Sequence, residues 1–135
     1  MKVHDFMNRK VITCHPHEKI ANILNKLRLF HISGMPVREG NAIKGIVSEK
    51  DILNRIQAMT EDGSIGLEEA IKRADLLVGD VMVRDVVTVA PADAIDTVVN
   101  LMIKRNIKRI PVVVEGRIVG IVARGDIIRA LAESG

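Results

Sequence analysis

The chain has 135 residues, 47% of them apolar and 27% charged, with 20 Lys and Arg against 17 Asp and Glu, two Phe and no Trp or Tyr. That is the length and apolar fraction of one packed domain, and it is too short for a catalytic barrel or a dinucleotide-binding unit with a substrate domain, each of which takes about 200 residues or more. A net charge of +3 with interspersed signs, and only Phe6 and Phe30 to stack on bases, argues against a nucleic-acid binder.

Cys14 is the single cysteine, so no intrachain disulfide can form, which points to a reducing, cytoplasmic compartment. The leading MKVHDFMNRKV lacks the apolar core of a signal peptide, and no apolar run approaches membrane-spanning length. A soluble protein with no membrane partner is expected.

Along the chain, Val11–Cys14 is a short β-prone run stopped by Pro16. Ile20, Ile23, Leu24 and Leu27 then fall at i, i+3, i+4 and i+7, the spacing of a helix with one buried stripe. Strands come next at Met35–Arg38 and Ile43–Val47 around a Gly40-Asn41 turn, and a second helix begins near Glu49 and extends through Asn54–Met59. Thr60–Gly66 has loop composition, and Leu67–Leu77 has helical spacing, with Leu67, Ala70, Ile71 and Ala74 on one side. This helix is expected to fill a core or to meet a partner subunit.

The same order then recurs. Val86–Val89 is stopped by Pro91, and Ile95, Val98, Val99 and Met102 repeat the helical stripe. Ile110–Val114 and Ile118–Val122 flank a Glu115-Gly116 turn, and a helix begins near Arg124. Residues 3 to 53 align with residues 78 to 128 at a constant offset of 75 without a gap, with 18 of the 51 positions identical, among them Met7/Met82, Pro36/Pro111, Gly45/Gly120 and Asp51/Asp126. The organisation is therefore a first repeat over 1–59, a linker loop and helix over 60–77, and a second repeat over 78–135. Each copy is small enough to be marginal alone, and two can cover each other.

The strings Ile32-Ser33-Gly34-Met35-Pro36-Val37 and Gly45-Ile46-Val47-Ser48-Glu49-Lys50-Asp51-Ile52 recur as Ile107-Lys108-Arg109-Ile110-Pro111-Val112 and Gly120-Ile121-Val122-Ala123-Arg124-Gly125-Asp126-Ile127. In this the sequence resembles a tandem pair of cystathionine-β-synthase (CBS) domains, a Bateman module, over nearly the whole chain except the linker. The resemblance implies an α/β fold of two pseudo-symmetric repeats, each strand-helix-strand-strand-helix, packed through their sheets. It further implies regulatory binding of AMP, ADP, ATP or S-adenosylmethionine in clefts between the repeats, a homodimer of CBS pairs, and an unidentified downstream protein. No cofactor is implied beyond the regulatory ligand.

Carried over by residue, the resemblance builds one cleft from Ser48 and Asp51 with Thr88, Lys108, Arg109 and Ile110, and another from Asp126 with Thr13, Ile32, Ser33 and Met35. The carboxylates would receive the ribose hydroxyls, and the basic residues would reach phosphates. Ala123 stands where Ser48 stands, and Ser33-Gly34 where Lys108-Arg109 stands, so the Asp51 cleft is the one expected to take phosphorylated ligands. Independently of the family, a carboxylate can accept bonds from two vicinal hydroxyls at roughly 1.5–3 kcal/mol each, and a helix N-terminus favours phosphate.

Plainer roles compete. Ser48 and Asp51 also read as a helix cap, and the retention of Asp126 beside Ala123, where the cap hydroxyl is gone, argues for another task. The run Lys104, Arg105, Lys108 and Arg109 is a solvated patch or an RNA contact; His15 and His17 lack a third metal ligand; Cys14 reads as a small buried hydrophobe. No nucleophile–base arrangement and no P-loop is present, so the chain does not read as an enzyme. An RNA-binding module, a purely structural dimerisation unit and a metal-binding protein are the competing functions.

Overall fold

The structure is a computed structural model describing residues 1–73 and 75–134. The elements are α1 (Ile20–Phe30), β1 (Gly34–Glu39), β2 (Ala42–Ser48), α2 (Glu49–Thr60), α3 (Leu67–Arg73), α4 (Val78–Val81), α5 (Ile95–Arg105), β3 (Arg109–Val114), β4 (Arg117–Ala123) and α6 (Arg124–Ser134), with a one-turn 3₁₀ helix at Val3–Asp5. Both helices expected to open near Glu49 and Arg124 begin at those residues. Of the stripe expected beyond Leu67, Ala74 lies outside the described residues.

The chain forms two compact units that do not follow the repeat boundaries. A central unit holds Ile12–Val86, and a terminal unit joins Met1–Val11 to Val87–Gly135. Each repeat thus gives its leading segment to the unit built on the other.

In the central unit, α1 buries Ile20, Ile23 and Leu27 and ends with His31 in the left-handed region at φ 53°. β1 and β2 form an antiparallel hairpin whose register slips between Val37 and Arg38, and Gly40 supplies the turn's positive φ. The β-prone run before α1 makes a single parallel bridge to β1: Cys14 N–H donates to the Pro36 carbonyl at 3.1 Å, and Arg38 N–H to the Cys14 carbonyl at 2.8 Å. Pro16, two residues on, interrupts any longer ladder. Cys14, Met35, Val37, Val47, Ile52 and Ile56 are core, and Ala70 of α3 is fully buried with them. Leu67 and Ile71 of the same helix remain exposed.

The terminal unit repeats this plan. α5 buries Ile95, Val98 and Met102 and ends on Asn106 at φ 52°, where the asparagine tolerates the left-handed conformation. β3 and β4 pair with a slip between Val112 and Val113, 75 residues on from the first. Here Glu115 and Gly116 both have positive φ, as a tight two-residue hairpin requires. Val89 bridges Val112 in parallel as Cys14 bridges Val37.

The leading segments are held alike. Val3 N–H donates to the Asp93 carbonyl at 2.9 Å, and Asn8 exchanges two 2.9 Å bonds with Ile121. Seventy-five residues on, Val78 N–H donates to the Glu18 carbonyl at 2.9 Å, and Val83 exchanges bonds of 2.8 and 2.9 Å with Ile46. Asp5 and Asp80, identical between copies, each accept the backbone N–H three residues earlier, from Lys2 and Leu77. That bond holds the Asp5 carboxyl below the ordinary carboxylate value.

Candidate functional site

The N-termini of α2 and α6 carry the two candidate carboxylates. At α2, Ser48 caps the helix: Asp51 N–H donates to its Oγ at 3.3 Å, while Ser48 N–H and Oγ–H donate to Asp51 Oδ2 at 3.1 and 2.7 Å. Asp51 Oδ1 has no hydrogen-bond partner among the described residues. At α6, Ala123 offers no hydroxyl, yet its N–H donates to Asp126 Oδ2 at 2.7 Å, so that half of the cap survives. Both aspartates therefore have a structural task, and retention of Asp126 without a serine needs no ligand to explain it.

The other carboxylate oxygen separates the two. Asp126 Oδ1 is paired with Arg129 Nη2 at 2.8 Å, the Arg129 side chain 62% exposed and that of Asp126 17%. Asn54 stands at the equivalent position in α2. Beside the Asp126–Arg129 pair, the terminal unit opens a groove of about 880 Å³ bordered by both residues and by Phe6, Asn8, Arg9 and Lys10.

Lys108 immediately precedes β3 and Arg109 is its first residue, and the Lys108 carbonyl accepts the Arg124 N–H at 2.9 Å. The segment bearing both cations is thus tied to the first residue of α6, in the unit that holds Asp126. Lys108 is exposed and Arg109 half-buried, consistent with neighbouring side chains leaving opposite faces of a strand start. In the central unit, the Ser33 carbonyl accepts the Glu49 N–H at 2.9 Å, which ties the uncharged Ser33-Gly34 to the first residue of α2.

Thr13 and Thr88 also differ. Arg38 Nε donates to Thr13 Oγ1 at 2.7 Å, and the Lys26 ammonium, paired with Glu18 at 3.0 Å, donates to the Thr13 carbonyl at 3.0 Å. The Thr88 hydroxyl is exposed and makes no hydrogen bond among the described residues, because Val113 stands where Arg38 does. Met35 and Ile110 are fully buried in the cores of their own units, which leaves their backbone rather than their side chains for contact. Ile32 is half-buried against the central core.

Neither Arg129 nor Arg38 was among the residues singled out from sequence. The spacing of Asp126 and Arg129 on one helix was a usable signal. Arg38 meets Thr13 across 25 residues only because Cys14 bridges β1.

Cys14 is 4% exposed, and burial pushes its thiol up from 9.0 to about 12, with Glu18 reinforcing the rise and Lys26 opposing it. His15 and His17 lie with ring centroids 5.1 Å apart, and His17 N–H donates to His15 Nδ1 at 3.2 Å. Among the described residues no three His, Cys, Asp or Glu side chains are placed to hold a metal, and no helix is long and apolar enough to cross a membrane.

The family model of the CBS domain matches residues 3–58 and again residues 78–133. The chain belongs to the CBS domain family. It carries the CBS domain twice, as the gapless offset indicates. An uncharacterized protein, MJ1426, of Methanocaldococcus jannaschii is 34% identical over an alignment of 155 positions that covers 97% of this chain and 91% of the relative. The CBS domain pair of protein MJ0100, solved with 5′-methylthioadenosine and S-adenosyl-L-methionine, superposes with a TM-score of 0.78 at 25% identity, covering 100% of this chain and 98% of that one. CBSX2, solved with AMP, gives a TM-score of 0.82 at 26% identity, covering 98% and 97%. The mixed α/β fold of two CBS repeats is shared with these pairs.

Proposed function

We propose that this CBS pair is a regulatory module that binds adenosine-containing ligands, with Asp51 and Asp126 as acceptors of the ribose hydroxyls. The observation that carries the proposal is the Asp51 carboxylate: its Oδ2 is fixed by Ser48 while its Oδ1 has no partner among the described residues. A carboxylate so oriented is a ready acceptor for a diol, and bonds to a charged acceptor are about twice as strong as neutral ones. Support also comes from the likeness to CBS pairs solved with AMP and with methylthioadenosine and S-adenosylmethionine.

The charge around each carboxylate distributes the ligands. Lys108, Arg109, Arg124 and Arg129 all belong to the unit that holds Asp126, whereas Ser33, Gly34, Glu49 and Asn54 stand at the corresponding positions in the unit that holds Asp51. Phosphorylated ligands are therefore assigned to the Asp126 site and less charged adenosyl ligands to the Asp51 site. This assignment is the opposite of the order expected from the sequence, and the bond from the Arg124 N–H to the Lys108 carbonyl supports it. Thr88, with its hydroxyl unengaged, is the threonine assigned to ligand contact.

A thermal-shift series with AMP, ADP, ATP, S-adenosylmethionine, methylthioadenosine and GMP tests the proposal. At about 100 times Kd a ligand stabilises by roughly 2.7 kcal/mol, a shift of several degrees for this size. Stabilisation by adenosyl compounds and not by GMP is expected; no shift with any adenosyl compound would overturn it. A titration of structured RNA addresses the alternative carried by Lys104, Arg105, Lys108 and Arg109, and would show steep salt dependence if that were the function.

A further inference from the structure

The two carboxylates sit at equivalent places in their repeats, yet among the described residues only Asp126 is paired with a cation. Arg129 holds Asp126 Oδ1 at 2.8 Å, and the position 75 residues earlier is Asn54, which brings no charge to Asp51. A bare carboxylate repels a phosphate held a few ångströms away, whereas one paired with a guanidinium does not. Asp126 keeps lone pairs for hydroxyls while so paired, since an ionised carboxylate offers about four acceptor positions. The guanidinium is mostly solvated and borders the open groove beside α6, so it can shift as a ligand enters without disturbing the core.

We infer that Arg129 is a positioning residue that sets ligand charge preference: by neutralising Asp126 it lets that site take a phosphorylated adenosyl ligand, while the unpaired Asp51 favours an uncharged one. This rests on the ribose-acceptor roles proposed above. The expected effect is modest, because exposed or half-exposed ion pairs contribute at most about 1 kcal/mol, equivalent to a two- to fivefold change in affinity.

The test is a reciprocal exchange read by calorimetry with AMP and 5′-methylthioadenosine. Arg129→Asn is placed in an Asp51→Asn background, which isolates the Asp126 site, and Asn54→Arg in an Asp126→Asn background, which isolates the Asp51 site. The first exchange should raise the ratio Kd(AMP)/Kd(methylthioadenosine) about two- to fivefold, and the second should lower it by a similar factor. Both changes should shrink as salt rises from 50 to 500 mM, about the range over which such pairs are screened. A ratio preserves its meaning if a variant merely loosens the fold, since both probes then weaken together. Ratios that do not move, or that move without salt dependence, would overturn the role of Arg129 while leaving adenosyl binding intact. Absence of binding by the unaltered protein would instead remove the ribose-acceptor reading, and this inference with it.

Discussion

The Met82 sulfur stands 2.8 Å from where a Cβ on Gly45 would be, and the Val83 carbonyl oxygen lies at the same distance. Met82 belongs to the second repeat and Gly45 to the first. Seventy-five residues round the pattern, Met7 of the first repeat meets Gly120 of the second, its sulfur at 2.8 Å from the corresponding point and the Asn8 oxygen at 3.2 Å. The glycines are small so that the exchanged leading segments can lie flat on β2 and β4.

Gly45→Ala should therefore destabilise more than Gly120→Ala. At Gly45 the added methyl meets a carbonyl oxygen that is itself bonded to Ile46 N–H, whereas at Gly120 the closest atom is the movable end of a methionine. Overpacking costs typically about 1–3 kcal/mol, with Gly45 at the upper end and Gly120 at the lower. Urea denaturation of the two variants checks the order.

Ile56 and Leu131 occupy equivalent positions, but α3 packs on α2, and among the described residues no counterpart of α3 packs on α6. Ile56 is 3% exposed and Leu131 50%. Ile56→Ala should cost about 2–5 kcal/mol and Leu131→Ala well under half of that, read from the same denaturation curves.

Cys14 should be inert in the folded protein and reactive in the unfolded one. With its thiol pushed up to about 12, almost no thiolate exists at neutral pH, so labelling by a thiol reagent at pH 7.5 should wait on opening of the central unit. The linked pH effect has a definite sign. Between roughly 9 and 12 the unfolded chain loses this proton and the folded one keeps it, so stability falls as pH rises through that window. Cys14→Ala should flatten the fall, and an unchanged slope would show that other groups produce it.

The helices and hairpins were legible because each carries its own signal: a 3.6-residue stripe in α1 and α5, and glycines at turns that need positive φ. The exchange of leading segments was not. An offset of 75 aligns Met7 with Met82, and it is silent on which copy either one packs against. The helix expected over Leu67–Leu77 does not extend to Leu76 and Leu77, which make other pairings: the Leu76 carbonyl accepts the Ile20 N–H, and Leu77 bridges Lys19. At the candidate site, Ser48 and Asp51 were visible as a cap from their spacing alone. The grouping of Lys108 with Asp126 depended on a backbone bond between β3's approach and α6, which no local pattern encodes.

Asp51→Asn and Asp126→Asn remove charge while keeping a side-chain oxygen for the helix cap, so each should destabilise the fold by about 1 kcal/mol or less. Circular-dichroism melts of the single variants check that they are folded before ligand work.

Calorimetric titration of the unaltered protein and of the Asp51→Asn/Asp126→Asn double variant with AMP and with 5′-methylthioadenosine tests the proposed function most directly. Saturable binding of at least one probe by the unaltered protein, weakened at least tenfold in the folded double variant, is the predicted result. Binding of equal strength in both proteins, or none of either probe by the unaltered protein, would contradict it.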